Sequence, residues 1–185
     1  MRKIIIIIIS VFFLVQCKTG QNDTVDTVNL IIEKSNGLQF PKPLGYVSDF
    51  DKTLSNEEIK LLNNILSEYK EKSTNEIVIV SISENLTEDN FMQYALDLSN
   101  NWGVGTAKKN NGLTIIYSAD LKMIRICTGI GTEKILTDKI CEKVLNEKIR
   151  SEFKKDDYYA GLRNGVIEFI KLWYDKTIHF QMSEH

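Results

Sequence analysis

Five side chains with oxygen donors lie where the chain leaves predicted strands or enters predicted helices: Asp49, Asp51, Asn111, Glu133 and Asp138. Asp49 and Asp51 are two residues apart in one loop, so both carboxylates can approach a single cation. Loops from distant parts of an α/β chain can converge at one sheet edge, where carboxylates would repel one another without a cation. Oxygen ligands suit calcium or magnesium, and the sequence has no Cys/His spacing of a zinc site. We therefore predict a divalent-cation site, with calcium as the expected ion and magnesium as the second choice.

Asp49 and Asn111 each have a structural alternative. An aspartate in a loop commonly accepts hydrogen bonds from the backbone that follows it, which would fold the turn without a metal. Asn111 precedes a glycine at the entry to a predicted strand, and Asn-Gly is a pair that a turn alone would select. Both interpretations of each residue stay open at this level.

The segment GIGTEK raises a second chemistry, because two glycines after a strand are typical of a dinucleotide loop. The third glycine of that motif is absent and the strand belongs to a hairpin, so no nucleotide cofactor is expected. The structural alternative is a tight loop in which Gly129 and Gly131 need positive φ and Leu136 packs beneath. Asp138 would then complement the dipole of the next helix. Glu133 alone is left without a structural role.

No arrangement typical of covalent catalysis is evident in the sequence. The two histidines, His179 and His185, follow the last predicted helix, so a Ser/His/Asp or Cys/His centre would depend on the C-terminal tail. Arg125 lies in a predicted strand and could clamp a phosphate, although a strand arginine more often pairs with a neighbouring acid. The chain thus offers cation ligands without a dedicated acid or base, which favours binding over catalysis.

The N-terminal segment MRKIIIIIISVFFLVQC predicts export. Arg2 and Lys3 precede an apolar run of about a dozen residues, which fits a signal peptide and is shorter than the roughly 20 residues of a membrane span. LVQC resembles the bacterial lipobox, in which cleavage precedes a diacylated cysteine, here Cys17. An ordinary signal peptide or an uncleaved anchor is the alternative, since Gln16 replaces the usual small residue.

Export and lipidation at Cys17 determine the domain organisation and the cellular location that we expect. The predicted segments are a signal peptide over residues 1–16, lipidated Cys17 with a tether over 17–40, a folded domain over 41–175 and a polar tail over 176–185. The expected location is the bacterial cell envelope, with the chain anchored to a membrane by lipid on a periplasmic or surface face.

The composition argues against a nucleic-acid partner. The chain has 185 residues with 23 basic and 25 acidic side chains, and loss of Arg2 and Lys3 moves the formal charge from −2 to about −4. Such a chain lacks the basic surface that phosphates require. The length suits one domain. Cys127 and Cys141 are expected as two separate buried thiols, with a disulfide as the alternative.

Hydrophobic periodicity predicts alternating helices and strands. Helices are expected to begin near Ser55, Thr87, Thr137 and Tyr158, and strands to occupy residues 76–82, 113–118 and 122–128. The last two strands lie at hairpin distance and should be antiparallel. The strand over 76–82 is apolar on both faces and has to be covered on both sides, so the expected fold is a three-layer α/β/α sandwich.

Five segments of the domain carry a resemblance to a known family: PLGYVSDF, WGVG, NNGLTIIY, RICTGIGTEKILTD and DDYYAGL. In order and spacing they resemble the TPM domain, named in part for a thylakoid-lumen phosphatase-like protein, from about Pro41 to Trp173. The resemblance implies a central mixed sheet, export and a lipid or membrane tether. It also implies calcium binding, as in some members. It favours Asp49 over Asp51, where relatives commonly carry a small residue.

Two functions are consistent with these expectations. The first is a lipid-anchored envelope protein that binds calcium or serves as a scaffold and contacts an envelope protein. The second is a metal-assisted phosphatase of low specificity, because weak acid phosphatase activity is attributed to some plant members and a carboxylate-held cation can polarise phosphate and activate water. The first is preferred, since cation ligands are present and a catalytic acid or base is not evident.

Overall fold

The computed structural model describes residues 40–183, with side chains up to residue 175, and the predicted signal peptide, Cys17 and the tether through residue 39 lie outside the described residues. The strands are β1 (Val47–Asp49), β2 (Glu76–Ser81), β3 (Gly112–Ser118) and β4 (Met123–Thr128). The helices are α1 (Asn56–Ser73), α2 (Glu88–Trp102), α3 (Ile130–Glu133), α4 (Asp138–Val144), a π-helical turn (Leu145–Ile149), α5 (Arg150–Phe153) and α6 (Tyr158–Ser183).

The four strands form one mixed sheet in the order β1-β2-β3-β4. The first three are parallel, with Asp49 opposite Ser81 and Ser81 opposite Tyr117. β3 and β4 are the predicted antiparallel hairpin, in which Ser118 lies opposite Met123. The carboxyl ends of the three parallel strands therefore meet at one edge of the sheet, beside the hairpin turn.

Helices cover both faces of this sheet, which confirms the predicted α/β/α fold. α1 and α6 pack on one face through side chains such as Leu62 and Phe169, and α2 covers the other face through Phe91. Because side chains alternate along a strand, β2 contributes Ile79 to the first core and Val80 to the second. Burial of each such side chain stabilises the fold by about 1.5–3 kcal/mol. Removing either helical layer would expose one face of β2, and the stabilisation from the side chains on that face would be lost.

The ends of α1 and α2 are set by the residues that the sequence indicated. The Ser55 hydroxyl accepts a hydrogen bond from the Glu58 amide at 3.3 Å, and the Glu58 carboxylate accepts one from the Ser55 amide at 2.7 Å. This reciprocal pair satisfies donors that the first turn leaves free. α2 ends at Gly103, whose φ of 61° is a left-handed conformation that glycine adopts without a Cβ clash.

Some elements differ from the prediction. β1 has only three residues, too few for a periodic pattern to reveal. The third predicted helix continues into the π-helical turn and α5. The sequence did not show this continuation, because a π turn interrupts the 3.6-residue repeat. The polar tail expected after residue 175 is helical through Ser183 as part of α6. Among residues 40–183, no helix is both long and apolar enough to cross a bilayer.

Two glycines of α6 allow it to pack closely against the π-helical turn. A Cβ at Gly165 would lie 2.5 Å from Ile149 Cγ1, and one at Gly161 would lie 2.9 Å from the Ile149 carbonyl oxygen. This contact holds the segment from the π-helical turn to α5 on the same face of the sheet as α6. Arg150 and Phe153 of α5 follow directly, so their positions depend on that close approach.

Cys127 and Cys141 are buried free thiols, as predicted. Cys127 belongs to the core beneath α2 and Cys141 to the core on the opposite face, so the sheet lies between them. Burial raises the pKa of both thiols, and that of Cys141 reaches about 11. Both are therefore protonated near neutral pH, which disfavours either as a nucleophile.

Candidate functional site

The loops that follow β1, β2 and β3 form what we call the carboxyl edge, and Asp49 is its central acceptor. Asp49 Oδ1 accepts hydrogen bonds from the Thr53 amide at 3.2 Å, from the Thr53 hydroxyl at 3.1 Å and from the Ser81 hydroxyl. Its Oδ2 accepts one from the Leu54 amide at 2.8 Å. Asp49 therefore has the structural role considered above, in which an aspartate accepts hydrogen bonds from the backbone that follows it. Its carboxylate holds the loop before α1 in shape and joins that loop to β2.

Tyr117 extends this network to the third parallel strand. Its hydroxyl lies 2.6 Å from the Thr53 hydroxyl, and its ring is fully buried. Burial raises the Tyr117 pKa well above the ordinary value, and the charges of Asp49 and Asp51 act in the same direction. The phenol therefore stays protonated at neutral pH, and it links β3 to the loop that Asp49 holds.

Asp51 makes a second set of links at the carboxyl edge. Its Oδ2 accepts hydrogen bonds from the Ser83 hydroxyl at 2.6 Å and from the Ala119 amide at 3.1 Å. The Ser83 and Ser118 hydroxyls lie 2.7 Å apart. Oxygen atoms from all three loops therefore converge around Asp51, although the resemblance ranked this residue below Asp49.

The charges of three carboxylates act on Tyr158, and we call these residues, Asp51, Asp120 and Asp156, the acidic cluster. The Tyr158 pKa is raised by burial and then by the charges of Asp156, Asp51 and Asp120. Asp120 and Asp156 are exposed, and Asp156 has a left-handed φ of 60°. The sequence analysis assigned no ligand role to either residue, because nothing in the linear order places the hairpin turn beside the loop before α6.

Glu133, Asp138 and Asn111 lie at the opposite end of the sheet, which we call the amino edge. β3 begins there at Gly112 and ends at the carboxyl edge at Ser118. A seven-residue strand spans roughly 20 Å, which is too far for one cation to bridge. The prediction of a single site built from Asp49 and these three residues is therefore wrong in its geometry.

Two of the predicted ligands do come together at the amino edge. Glu133 and Asp138 both line a cavity of about 430 Å³ between α2 and the β3–β4 hairpin. Their charges add to burial in raising the pKa of Cys141. The Asn111 side chain is instead engaged in hydrogen bonds within the fold. Its Oδ1 accepts from the Thr106 amide at 3.0 Å, and its amide group donates to the Thr74 carbonyl oxygen at 2.8 Å.

Gly129 and Gly131 are required for close backbone approach and not for positive φ. The predicted left-handed backbone is wrong, because φ of Gly129 is −74° and Gly131 is not among the glycines with positive φ. A Cβ at Gly131 would lie 2.0 Å from the Lys109 carbonyl oxygen. Leu136 is fully buried beneath this loop, as predicted.

The donor set at the carboxyl edge fits calcium better than it fits a transition metal. Calcium takes six to eight oxygen ligands in flexible geometry, and this edge supplies carboxylate and hydroxyl oxygens from separate loops. Among the described side chains, no three acidic, histidine or cysteine groups are already arranged to hold a metal ion. Ion binding there would therefore need the exposed Asp120 and Asp156 side chains to move toward Asp51.

Comparisons with known proteins agree with this architecture. The family model of the TPM domain matches residues 47–172, which is more than half of the chain. The N-terminal domain of a P. gingivalis protein, solved by NMR, is 28% identical with a TM-score of 0.59, and the match covers 69% of this chain and 80% of that one. No curated protein matches the chain.

Two further NMR structures share the fold at lower identity. The BA42 protein of the psychrophilic bacterium Bizionia argentinensis is 19% identical with a TM-score of 0.59, and the match covers 69% of this chain and 86% of that one. The N-terminal domain of the cg2496 protein of Corynebacterium glutamicum is 15% identical with a TM-score of 0.50, covering 75% and 85%. These likenesses concern the fold alone.

Proposed function

Because the chain belongs to the TPM domain family, we propose that it is a lipid-anchored module of the bacterial cell envelope that binds calcium and contacts an envelope protein. The cation site we propose is the acidic cluster at the carboxyl edge. The observation that carries this proposal is the hydrogen bond from the Ser83 hydroxyl to the Asp51 carboxylate at 2.6 Å, with the Asp120 amide 3.5 Å from the same hydroxyl oxygen.

The location of the cluster supports a binding role. In open α/β sheets, ligands bind outside the carboxyl ends of the strands. Carboxylates brought to one edge of the sheet repel one another, so a cation that draws them together and neutralises them stabilises the folded chain. Calcium sites of extracellular modules commonly have dissociation constants of about 10⁻⁴ to 10⁻³ M, which suits exposed ligands that are ordered only on binding.

Phosphate hydrolysis through a covalent intermediate is disfavoured by the state of the hydroxyl and thiol groups. The Thr53, Ser81, Ser83 and Ser118 hydroxyls at the carboxyl edge are engaged in hydrogen bonds with one another, with Tyr117 or with Asp49 and Asp51. Burial raises the pKa of both thiols and keeps them protonated. Arg125, the strand arginine that the sequence analysis considered as a phosphate clamp, donates to the Met92 carbonyl oxygen at 2.7 Å.

Calcium is expected to raise the melting temperature. Ligand at 100 times its dissociation constant stabilises the folded state by about 2.7 kcal/mol, and at 10 times by about 1.4 kcal/mol. Ten millimolar calcium should therefore shift the melt upward by several degrees. Circular dichroism melts at rising calcium concentration measure this, with potassium chloride at equal ionic strength as the control. A melt that responds equally to both salts would contradict calcium binding.

Lipid anchoring is expected to depend on Cys17. Full lipoprotein processing supplies more than one acyl chain, which gives stable membrane attachment, whereas a single chain is marginal. Cys17→Ser should move the chain out of the membrane fraction or leave an uncleaved precursor. Cys127→Ser, which changes a buried thiol of the domain, is the matched control and should leave fractionation unchanged. Normal processing and membrane fractionation of Cys17→Ser would contradict the lipobox interpretation.

A further inference from the structure

A second concave site lies next to the carboxyl edge, on the face of the sheet that α6 covers, and it has the opposite charge. The cavity has a volume of about 500 Å³, within the range of small-molecule pockets. Three of its lining residues are the cationic side chains Lys122, Arg150 and Lys154. One carboxylate, Asp156, also lines it.

The three cations are not neutralised by salt bridges within the described part of the chain. The ion pairs of the described side chains are Lys70 with Glu76, Lys72 with Glu68, and Lys155 with Glu152. Glu152 thus pairs with Lys155 and not with the adjacent Lys154. The Arg150 guanidinium donates one hydrogen bond to Asn146 Oδ1 at 2.8 Å, which orients it and leaves further N–H donors free.

The wall of the cavity is a preorganised aromatic surface. The Phe153 and Tyr158 rings lie edge to face with centroids 4.8 Å apart, and Tyr158 stacks on the buried Tyr117 at 5.7 Å. Ile124 of β4 adds an apolar side chain to the lining. A flat ring could pack here without ordering new protein groups, which lowers the entropic cost of binding.

We propose that this cavity binds a small organic anion that combines one aromatic ring with a single carboxylate. The carboxylate would be held by the fork of Arg150 and the ammonium groups of Lys122 and Lys154, while the ring packs on Phe153 and Tyr158. A singly charged group is favoured over a dianionic phosphate because the Asp156 carboxylate also lines the cavity and would repel the additional negative charge.

The proposal goes beyond calcium binding and does not depend on it, so the test is run in EDTA. Ligand-observed NMR on the full chain in a non-ionic detergent, with phenylacetate as the probe, should give saturable binding. Phenyl phosphate should bind more weakly than phenylacetate. Arg150→Gln combined with Lys154→Gln should weaken phenylacetate binding at least about tenfold, which corresponds to about 1.4 kcal/mol, because both charged donors to the carboxylate are removed.

Lys139→Gln is the matched control, because it removes the same charge from an exposed position of α4 that does not line the cavity. It should leave phenylacetate binding unchanged. Lys122→Gln, which like Arg150 and Lys154 lies at an exposed position of the lining, should also weaken phenylacetate binding, and near-ultraviolet circular dichroism reports whether the aromatic cluster is intact. No binding by the wild type, equal binding by the folded double variant, or tighter binding of phenyl phosphate would each overturn the proposal.

Discussion

Asp49→Ala is expected to lower the free energy of unfolding by about 3 kcal/mol or more. The substitution leaves the Thr53 and Leu54 amides and the Ser81 hydroxyl without their acceptor. A buried donor left unsatisfied costs about 1–3 kcal/mol, and several donors lose the same partner here. The loop that connects β1 to α1 would lose its link to β2. Urea unfolding followed by circular dichroism measures the change.

The control for Asp49 is Asp175→Ala, which removes a carboxylate from an exposed position on α6. Surface substitutions of that kind usually change stability by less than about 0.5 kcal/mol. An Asp49→Ala protein as stable as this control would show that the carboxylate does not hold the carboxyl edge together. If the unfolding free energy falls with urea concentration at the same slope for both variants, their difference in stability arises in the folded state.

Gly131→Ala is expected to be the most damaging glycine substitution in the loop after β4. The added Cβ would lie 2.0 Å from the Lys109 carbonyl oxygen, a backbone atom that cannot rotate away. Relief requires the loop or the segment before β3 to move, and forced repacking of this kind typically costs about 1–3 kcal/mol and occasionally more. Thermal unfolding should show a large fall in melting temperature or no folded protein.

Gly103→Ala separates steric overlap from backbone strain. A Cβ at Gly103 would meet no heavy atom within 4 Å, although φ is 61°. Left-handed backbone costs a residue with a side chain about 1–2 kcal/mol, so this variant should fold with moderately reduced stability. Equal losses for the two variants would mean that close approach at Gly131 is not what the fold requires.

The parts of the fold that local patterns determine were predictable from the sequence. The capping pair of Ser55 and Glu58 and the apolar stripe of α2 act within a few residues, so their signals are complete in the linear order. The alternation of buried side chains in β2 likewise predicted a layer of helices on both faces. β1 was missed because its three residues become a strand only through pairing with β2.

The candidate site was harder to predict because it depends on where loops meet. The predicted hairpin already placed Glu133 and Asp138 near the start of β3, but without β1 the sequence could not indicate that Asp49 lies at the other edge of the sheet. The antiparallel direction of β4 sends these residues to the amino edge, away from Asp49. Asp156 precedes Tyr158 by two residues in DDYYAGL, but only the folded chain lets the charges of Asp51 and Asp120 act on the same tyrosine.

The most direct test of the proposed function is a calorimetric calcium titration of three proteins. The wild type should bind calcium with a dissociation constant of about 10⁻⁴ to 10⁻³ M. Asp120→Asn combined with Asp156→Asn, two exposed positions of the acidic cluster, should abolish the heat. Glu133→Gln combined with Asp138→Asn at the amino edge should leave it unchanged. No heat from the wild type, or heat lost only in the amino-edge variant, would contradict a calcium site at the carboxyl edge.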